Sequence, residues 1–326
     1  MNVNKVNSKS IKMQKILPII AVYLVMVLLL ICTNIVQPGF LTFSHMGKVL
    51  RTASFLGIVA IGQTLVIISG GIDSSVMYMV TFANVFAAQY MNGNNDRIVM
   101  SLILCVIFAV VIGVVNGAGI YYLNIPPIVM TLASGTIVYG ITYLYCKGAP
   151  KGETGAMLAE IAGTEIAGML YGTTIIWGIL ACLCIFVLKC TTFGRAIYAI
   201  GTNPEAARYS GINSAAVTMI VYVISALMSV LAGWLLVGYR GRGSLNAGNE
   251  YNLSSIAAVV IGGTLITGGK GGYVGTIAGV IVMTVISSLM TLVNLGEWGR
   301  QVLEGVIIIV LIVAMSEKKV KIRKKA

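Results

Sequence analysis

The chain is poor in charge, in histidine and in anything that could assemble a catalytic centre. Of 326 residues, 10% are Asp, Glu, Lys or Arg, and His45 is the single histidine. Average soluble domains carry roughly a quarter charged residues, so a soluble surface is not available to a chain of this composition. One histidine leaves His-based metal sites and Cys–His catalysis almost nothing to build on. The cysteines (Cys32, Cys105, Cys146, Cys182, Cys184 and Cys190) lie in or beside apolar runs, with no pair at CxxC spacing. They read as small hydrophobic side chains in helices rather than a disulfide framework or metal site. Neither a DDxxD-type acidic cluster nor H-E-x-x-H occurs. The nearest approach to a phosphate loop, GGTLITGGKG from Gly262 to Gly271, has Thr264 where the first glycine belongs and Gly271 where Ser or Thr is required. A nucleotide-driven process would therefore need its engine on another chain.

What the chain has in quantity is apolar sequence, 58% of it, which lipid can cover and a soluble fold cannot. Polar stretches long enough for a second core are missing, so residues 1–326 read as one transmembrane domain of the all-α class. Apolar runs of about 20 residues predict ten transmembrane helices, near 16–36, 52–69, 75–91, 98–115, 125–146, 171–189, 214–237, 253–267, 273–294 and 302–315. The first exceeds a signal-peptide core and has no A-x-A site after it, so it is expected to be a retained span. The eighth and tenth are short enough to be partly re-entrant. The longest loop between spans, about 147–170, is Ala- and Gly-rich and suits a short surface helix.

Charge placement predicts the orientation. Lys5, Lys9, Lys12 and Lys15 precede the first span, and Lys318, Lys319, Lys321, Arg323, Lys324 and Lys325 follow the last. Ten crossings put both tails, 1–15 and 316–326, on one side together with the loop at about 190–213. The other side holds only Lys48, Arg51, Arg97, Lys147, Lys151, Arg240, Arg242 and Arg300. The positive-inside rule makes the first side cytoplasmic. The net charge of +12 is thus a property of membrane flanks. It does not take the interleaved basic and aromatic form of a nucleic-acid surface, and the tails can touch anionic lipid headgroups.

The most informative water-facing stretch is FGRAIYAIGTNPEAARYSGIN, residues 193–213. Asn203 can cap a short helix with Pro204 at its first position and Glu205 in its first turn, and Gly211 is a natural stop. A helix of about two turns at the membrane surface suits docking in a partner's groove; an ordinary interfacial connector is the plainer alternative. Within the spans, Gly113-x-x-x-Gly117 and Gly275-x-x-x-Gly279 predict close helix packing. Asp73 follows the helix-breaking pair Gly70–Gly71. An acid near a span is often functional, yet Asp73, Ser74 and Ser75 could equally cap the next helix. Asn116, Asn246 and Asn249 are alike in this: each could satisfy freed backbone or line a solute route. Glu304 is expected to pair with Arg300 one turn earlier.

Four blocks, in order, carry a resemblance. The first is Gly70, Gly71, Ile72, Asp73, Ser75 and Val76. The second is Asn116–Gly117 followed by Ile125, Pro126, Ile128, Thr131 and Leu132. The third is the E-A-A core Glu205, Ala206 and Ala207 with Gly211 downstream. The fourth is Asn246–Gly248, Tyr251, Leu253 and Ile256–Thr264, then Gly268, Gly269 and Gly271. Together they resemble the permease subunits of ABC importers, of the ribose/xylose/galactose simple-sugar type, across residues 50–315. The resemblance implies an ABC importer permease fold in the bacterial cytoplasmic membrane, and transport rather than enzyme activity. It implies a partner ATPase carrying the ATP and Mg, an extracytoplasmic sugar-binding protein and a permease homodimer. It also implies contact with the ATPase through Gly201, Asn203, Glu205, Ala206, Ala207, Arg208 and Gly211. Ser74 stands where that pattern usually has Leu, Met77 where Gly is common, and Ser254 where an acid is often seen. These departures leave the solute open, with a nucleoside or another small polar solute as the alternative. A membrane-embedded enzyme or a passive channel is a more distant one.

Overall fold

The computed structural model describes residues 8–166, 170–293, 295–296, 299 and 301–310. Lys5, the basic tail 316–326, Arg300 and its expected pairing with Glu304 lie outside the described residues, as does the far end of the last span.

The first half of the chain forms α1 (Ser8–Val36), α2 (Phe43–Ile68), α3 (Val76–Met91), α4 (Ile98–Tyr122), α5 (Pro127–Cys146) and α6 (Ala156–Gly163). The second half forms α7 (Gly172–Cys190), α8 (Thr192–Thr202), α9 (Pro204–Tyr209), α10 (Ser214–Arg240), α11 (Tyr251–Ile261), α12 (Tyr273–Leu292) and α13 (Gln301–Val310). Seven of them (α1, α2, α4, α5, α7, α10 and α12) are long and apolar enough to cross a membrane, and α11 and α13 are shorter apolar helices. Between α6 and α7 sits a two-stranded antiparallel ladder, β1 (Glu165–Ile166) and β2 (Leu170–Tyr171). The short helix expected in the 147–170 loop is α6; the ladder beside it was not foreshadowed by the loop's Ala/Gly pattern.

Two boundaries differ from expectation for identifiable reasons. Helix α2 begins at Phe43, after Thr42 in extended conformation (φ −64°, ψ 148°), rather than near residue 52, and so carries within it Arg51. Its guanidinium lies 4.3 Å from the Tyr171 ring centroid and 4.6 Å from that of Tyr239, a favourable cation–π arrangement. Helix α11 stops at Ile261 rather than near 267, because Gly263 adopts φ +86° and turns the chain away.

The bundle has two distinguishable ends. At one, Gly93 N–H donates to Glu153 O at 3.0 Å and Thr154 N–H to Gly241 O at 2.9 Å, gathering the last turns of α3 and α10 with the segment before α6. At the other, Gly269 N–H donates to Ile68 O at 2.9 Å and the Tyr198 hydroxyl to Gly271 O at 2.9 Å, gathering the end of α2, α8 and the α11–α12 turn. Helix α2 runs through the centre, buried continuously from Ala53 to Ile68. The small-xxx-small pairs bring helices together as their spacing predicts. A Cβ on Gly113 would lie 2.5 Å from Val223 Cα, one on Gly117 2.5 Å from Met219 Cα, and one on Gly279 would strike Ala258 O. Side chains of α1, α4, α5 and α7 such as Leu28, Ile107, Leu144 and Phe186 are apolar and exposed, as a hydrocarbon-facing surface requires.

Two segments are part helix, part extended chain. Helix α3 has 16 residues, about 24 Å at 1.5 Å per residue, short of a hydrocarbon core of about 30 Å. It is preceded by the non-helical stretch 71–75. Residues 243–248 run beside α3 in the opposite sense. Gly243 lies against Ala88, Ser244 N–H bonds Asn84 Oδ1 at 2.9 Å, and Gly248 N–H bonds Thr81 Oγ1 at 3.0 Å. Helix α11 therefore starts deep inside the bundle, next to the start of α3, and proceeds to the opposite end.

Candidate functional site

The stretch singled out for partner docking folds as α8 and α9. Asn203 Oδ1 accepts from Ala206 N–H at 3.0 Å, Pro204 occupies the first turn, and Glu205 follows it. Pro204 has no N–H to waste and its fixed φ suits that position. Six residues make less than two turns, and Gly211 at φ +80° then redirects the chain into α10. Ala207 is buried and holds the helix down, whereas Asn203, Glu205, Ala206, Arg208 and Gly211 are exposed and Tyr209 is 89% exposed. The exposed set forms a small protruding surface with one acid and one base.

Gly201 does different work from its neighbours. A Cβ there would run into the Ile68 carbonyl and come 2.7 Å from Gly269 N. Gly269 N–H in turn bonds Ile68 O at 2.9 Å, so α8, the end of α2 and the α11–α12 turn are joined backbone to backbone. Tyr198 reinforces the joint through its bond to Gly271 O, and burial pushes its hydroxyl above the ordinary tyrosine range. The surface at α9 therefore rides on a joint that reaches two membrane-buried elements.

Directly past that joint, Gly70 at φ +92° ends α2 and opens the stretch that contains Asp73. Asp73 is buried and engaged on both oxygens. Oδ1 accepts from Ser75 N–H at 2.9 Å and Ser75 Oγ at 2.6 Å, and Oδ2 accepts from Ser225 Oγ on α10 at 2.7 Å. Asn116 Nδ2 on α4 donates to Ser75 Oγ at 3.3 Å, and Ser74 N–H donates to Thr131 Oγ1 on α5 at 2.9 Å. One carboxylate thus ties the α2–α3 break to α10 directly and to α4 and α5 through its neighbours, satisfying backbone groups that the break frees. Asp73 and Asn116 are brought together. Asn246 and Asn249 are not: they sit in the 241–250 segment, Asn246 exposed and Asn249 half-buried.

Between this cluster and α9 lies a cavity of about 530 Å³, lined among others by Gly70, Gly71, Tyr121, Glu205, Arg208 and Tyr222. Tyr222 is buried and its hydroxyl crowds Gly71, where any Cβ would strike it. Tyr222, Ser225 and Thr131 were not identified as site residues from the sequence. Ser225 looks like any small residue of a transmembrane helix, and only the helix's rotation shows that it faces Asp73. Ser254, the departure from the family pattern, donates to Glu304 Oε1 at 2.5 Å, so an acid reaches that place from α13.

Comparison with known proteins gives the family. A family model described as branched-chain amino acid transport system / permease component matches residues 45–315. The chain is 32% identical to the ribose import permease protein of Bacillus subtilis (strain 168), covering 94% of each. It is 33% identical to the galactose/methyl galactoside import permease protein of Haemophilus influenzae, over 92% of this chain and 95% of that one. It is 32% identical to the fructose import permease protein of Rhizobium meliloti, over 89% and 82%. No solved structure matches the chain.

Proposed function

The chain belongs to the branched-chain amino acid transport system / permease component family, and from that premise we propose that it carries a monosaccharide into the cell as the membrane subunit of an ATP-driven importer. It is a transport subunit rather than an enzyme, and a multi-pass protein of the cytoplasmic membrane. A partner ATPase and an extracytoplasmic binding protein complete such a system.

A sugar suits the chain better than the amino acids named in the family description. Among the described residues, the buried side chains of the Asp, Glu, Lys, Arg and His types are Asp73 and Glu304, both acids. An amino acid's carboxylate would ask for a buried cation or equivalent donors, whereas a sugar asks for neutral hydrogen-bonding groups. The relatives named for ribose, galactose and fructose point the same way.

In this reading α3, α11 and α13 join the seven long helices to make ten crossings. The α8–α9 end faces the cytoplasm, with both termini on that side. Two copies enclose the route, and the tails lie against lipid headgroups. The partner ATPase docks on Asn203, Glu205, Ala206, Arg208 and Gly211. Its closure moves α9, and the Gly201 joint passes that movement to α2 and to the α11–α12 turn. The mechanism requires that the ATPase bind the two arrangements of the bundle with different affinity. The observation that carries the proposal is the capped, exposed α9 mounted on this joint.

The test is uptake of labelled D-ribose, D-galactose and D-fructose into proteoliposomes holding the permease with its ATPase and binding protein. Accumulation of one sugar that requires ATP is expected. Equal uptake without ATP would replace the importer with a passive channel, and uptake of none would remove the sugar assignment.

A further inference from the structure

The Asp73 cluster is enclosed and engaged within the bundle, which makes it a brace rather than a surface that a solute meets. A different face of the chain is built for polar company. Helix α12 carries Thr284, Ser287, Ser288 and Thr291, at the i, i+3, i+4, i+7 positions that share one helix face. They line a cleft of about 140 Å³ whose other wall includes Thr52 on α2 and Ser254 on α11, with Glu250 beside them. Glu304 of α13, itself buried, stands behind Ser254. A stripe of hydroxyls backed by two carboxylates cannot be a hydrocarbon-facing surface, unlike the apolar outer faces of α4 and α7.

The chemistry of the wall selects its occupant. Thr284 Oγ1 donates to Val280 O at 2.8 Å, Ser288 Oγ to Thr284 O at 2.9 Å and Thr291 Oγ1 to Ser287 O at 3.0 Å. Ser254 spends its proton on Glu304. The hydroxyl hydrogens of Thr284, Ser288, Thr291 and Ser254 are therefore directed back into the protein, and their lone pairs are left toward the cleft. The carboxylates are engaged as well, Glu304 with Ser254 and Glu250 with Arg240 at 2.9 Å. An acceptor-rich wall backed by acids favours a neutral solute rich in O–H donors and disfavours an anion, which the acids repel.

We propose that this α2–α11–α12 cleft is the binding surface of the solute route on the side away from α8 and α9, and that it holds a neutral polyhydroxylated solute. The assignment rests on the importer reading for its sugar. It is tested in the permease–ATPase complex with its binding protein, in liposomes, starting from a variant with all native cysteines replaced by alanine. Single cysteines at Ser287, Ser288 and Thr291, and at Ile107 as a lipid-facing control, are exposed to a membrane-impermeant methanethiosulfonate. Labelling at the three hydroxyl positions is expected to be about tenfold faster than at 107, as hydrated positions require. Saturating ribose, galactose or fructose should slow it, whichever is transported, and glucose 6-phosphate should not.

Thr284→Val with Ser288→Ala should lower uptake about tenfold, the effect of two lost hydrogen bonds of ordinary strength, with the ATPase still co-purifying. Labelling no faster than at Ile107 overturns the proposal, and so does protection by glucose 6-phosphate or unchanged uptake in the double variant. If the wild-type complex carries none of the three sugars while the cleft still labels rapidly, the sugar reading fails. In that case the hydrated route stands.

Discussion

Replacing Gly201 with alanine tests whether α8 is joined to the membrane bundle as tightly as the backbone indicates. The new Cβ would meet the Ile68 carbonyl and lie 2.7 Å from Gly269 N and 2.9 Å from Ile68 C. All of these are backbone atoms in packed elements, so no side chain can swing aside. Overpacking of this kind costs about 1–3 kcal/mol. Separating the elements also stretches the Gly269–Ile68 hydrogen bond, a further 0.5–1.5 kcal/mol or so. The expected total is roughly 2–4 kcal/mol. Gly211→Ala is the control: nothing lies within 4 Å of its Cβ, and only the left-handed φ of +80° is penalised, at about 1–2 kcal/mol. Thermal unfolding of the purified permease should place Gly201→Ala clearly below Gly211→Ala. ATP-driven uptake by the assembled complex should fall further for Gly201→Ala than its loss of folded protein explains. Equal melting of the two variants, or full uptake by Gly201→Ala, would refute the idea that this joint is tight and transmits movement.

Asp73→Ala removes the acceptor for three hydrogen bonds and strands buried donors on Ser75 and Ser225. A loss of about 3–5 kcal/mol is expected, read as a large fall in melting temperature, while Asp73→Asn keeps one acceptor and should lie between. Tyr273→Phe deletes a hydroxyl that accepts from Trp177 Nε1 at 2.7 Å and donates to Gly57 O at 2.7 Å. It should cost about 1–3 kcal/mol in the same assay and change Trp177 fluorescence. Asn203→Ala removes the α9 cap, worth about 1 kcal/mol to the helix. Its effect should appear as faster amide exchange at Ala206, with melting of the whole bundle nearly unchanged.

Much of this architecture is legible in the residues. The α9 helix can be read from Asn203, Pro204 and Gly211 because capping chemistry is local. Gly113, Gly117 and Gly279 announce close packing because a missing side chain has few other uses at such spacing. The helix break at Gly70–Gly71 is local too. The long-range partners of this stretch are not, since Ser225, which bonds Asp73, and Thr131, which bonds Ser74, come from helices distant in sequence and their rotation is set by packing. The half-extended segment at 241–250 escapes a hydropathy reading because its burial comes from α3 beside it. Polar positions illustrate the limit best. Asp73, Asn116, Asn246 and Asn249 look equivalent as polar groups beside glycine, yet the first two are buried together and the latter two are not. The α12 hydroxyls, individually ordinary in a span, gain meaning only as one face of a cleft.

The central claim, that a partner ATPase drives this permease through α9, is tested most directly by the double variant Glu205→Lys with Ala206→Asp. Both residues are exposed, so the permease itself should fold and melt as the wild type does. Co-purification with the ATPase and ATP-dependent sugar uptake should both be lost. Retention of ATPase binding together with undiminished uptake would contradict the account.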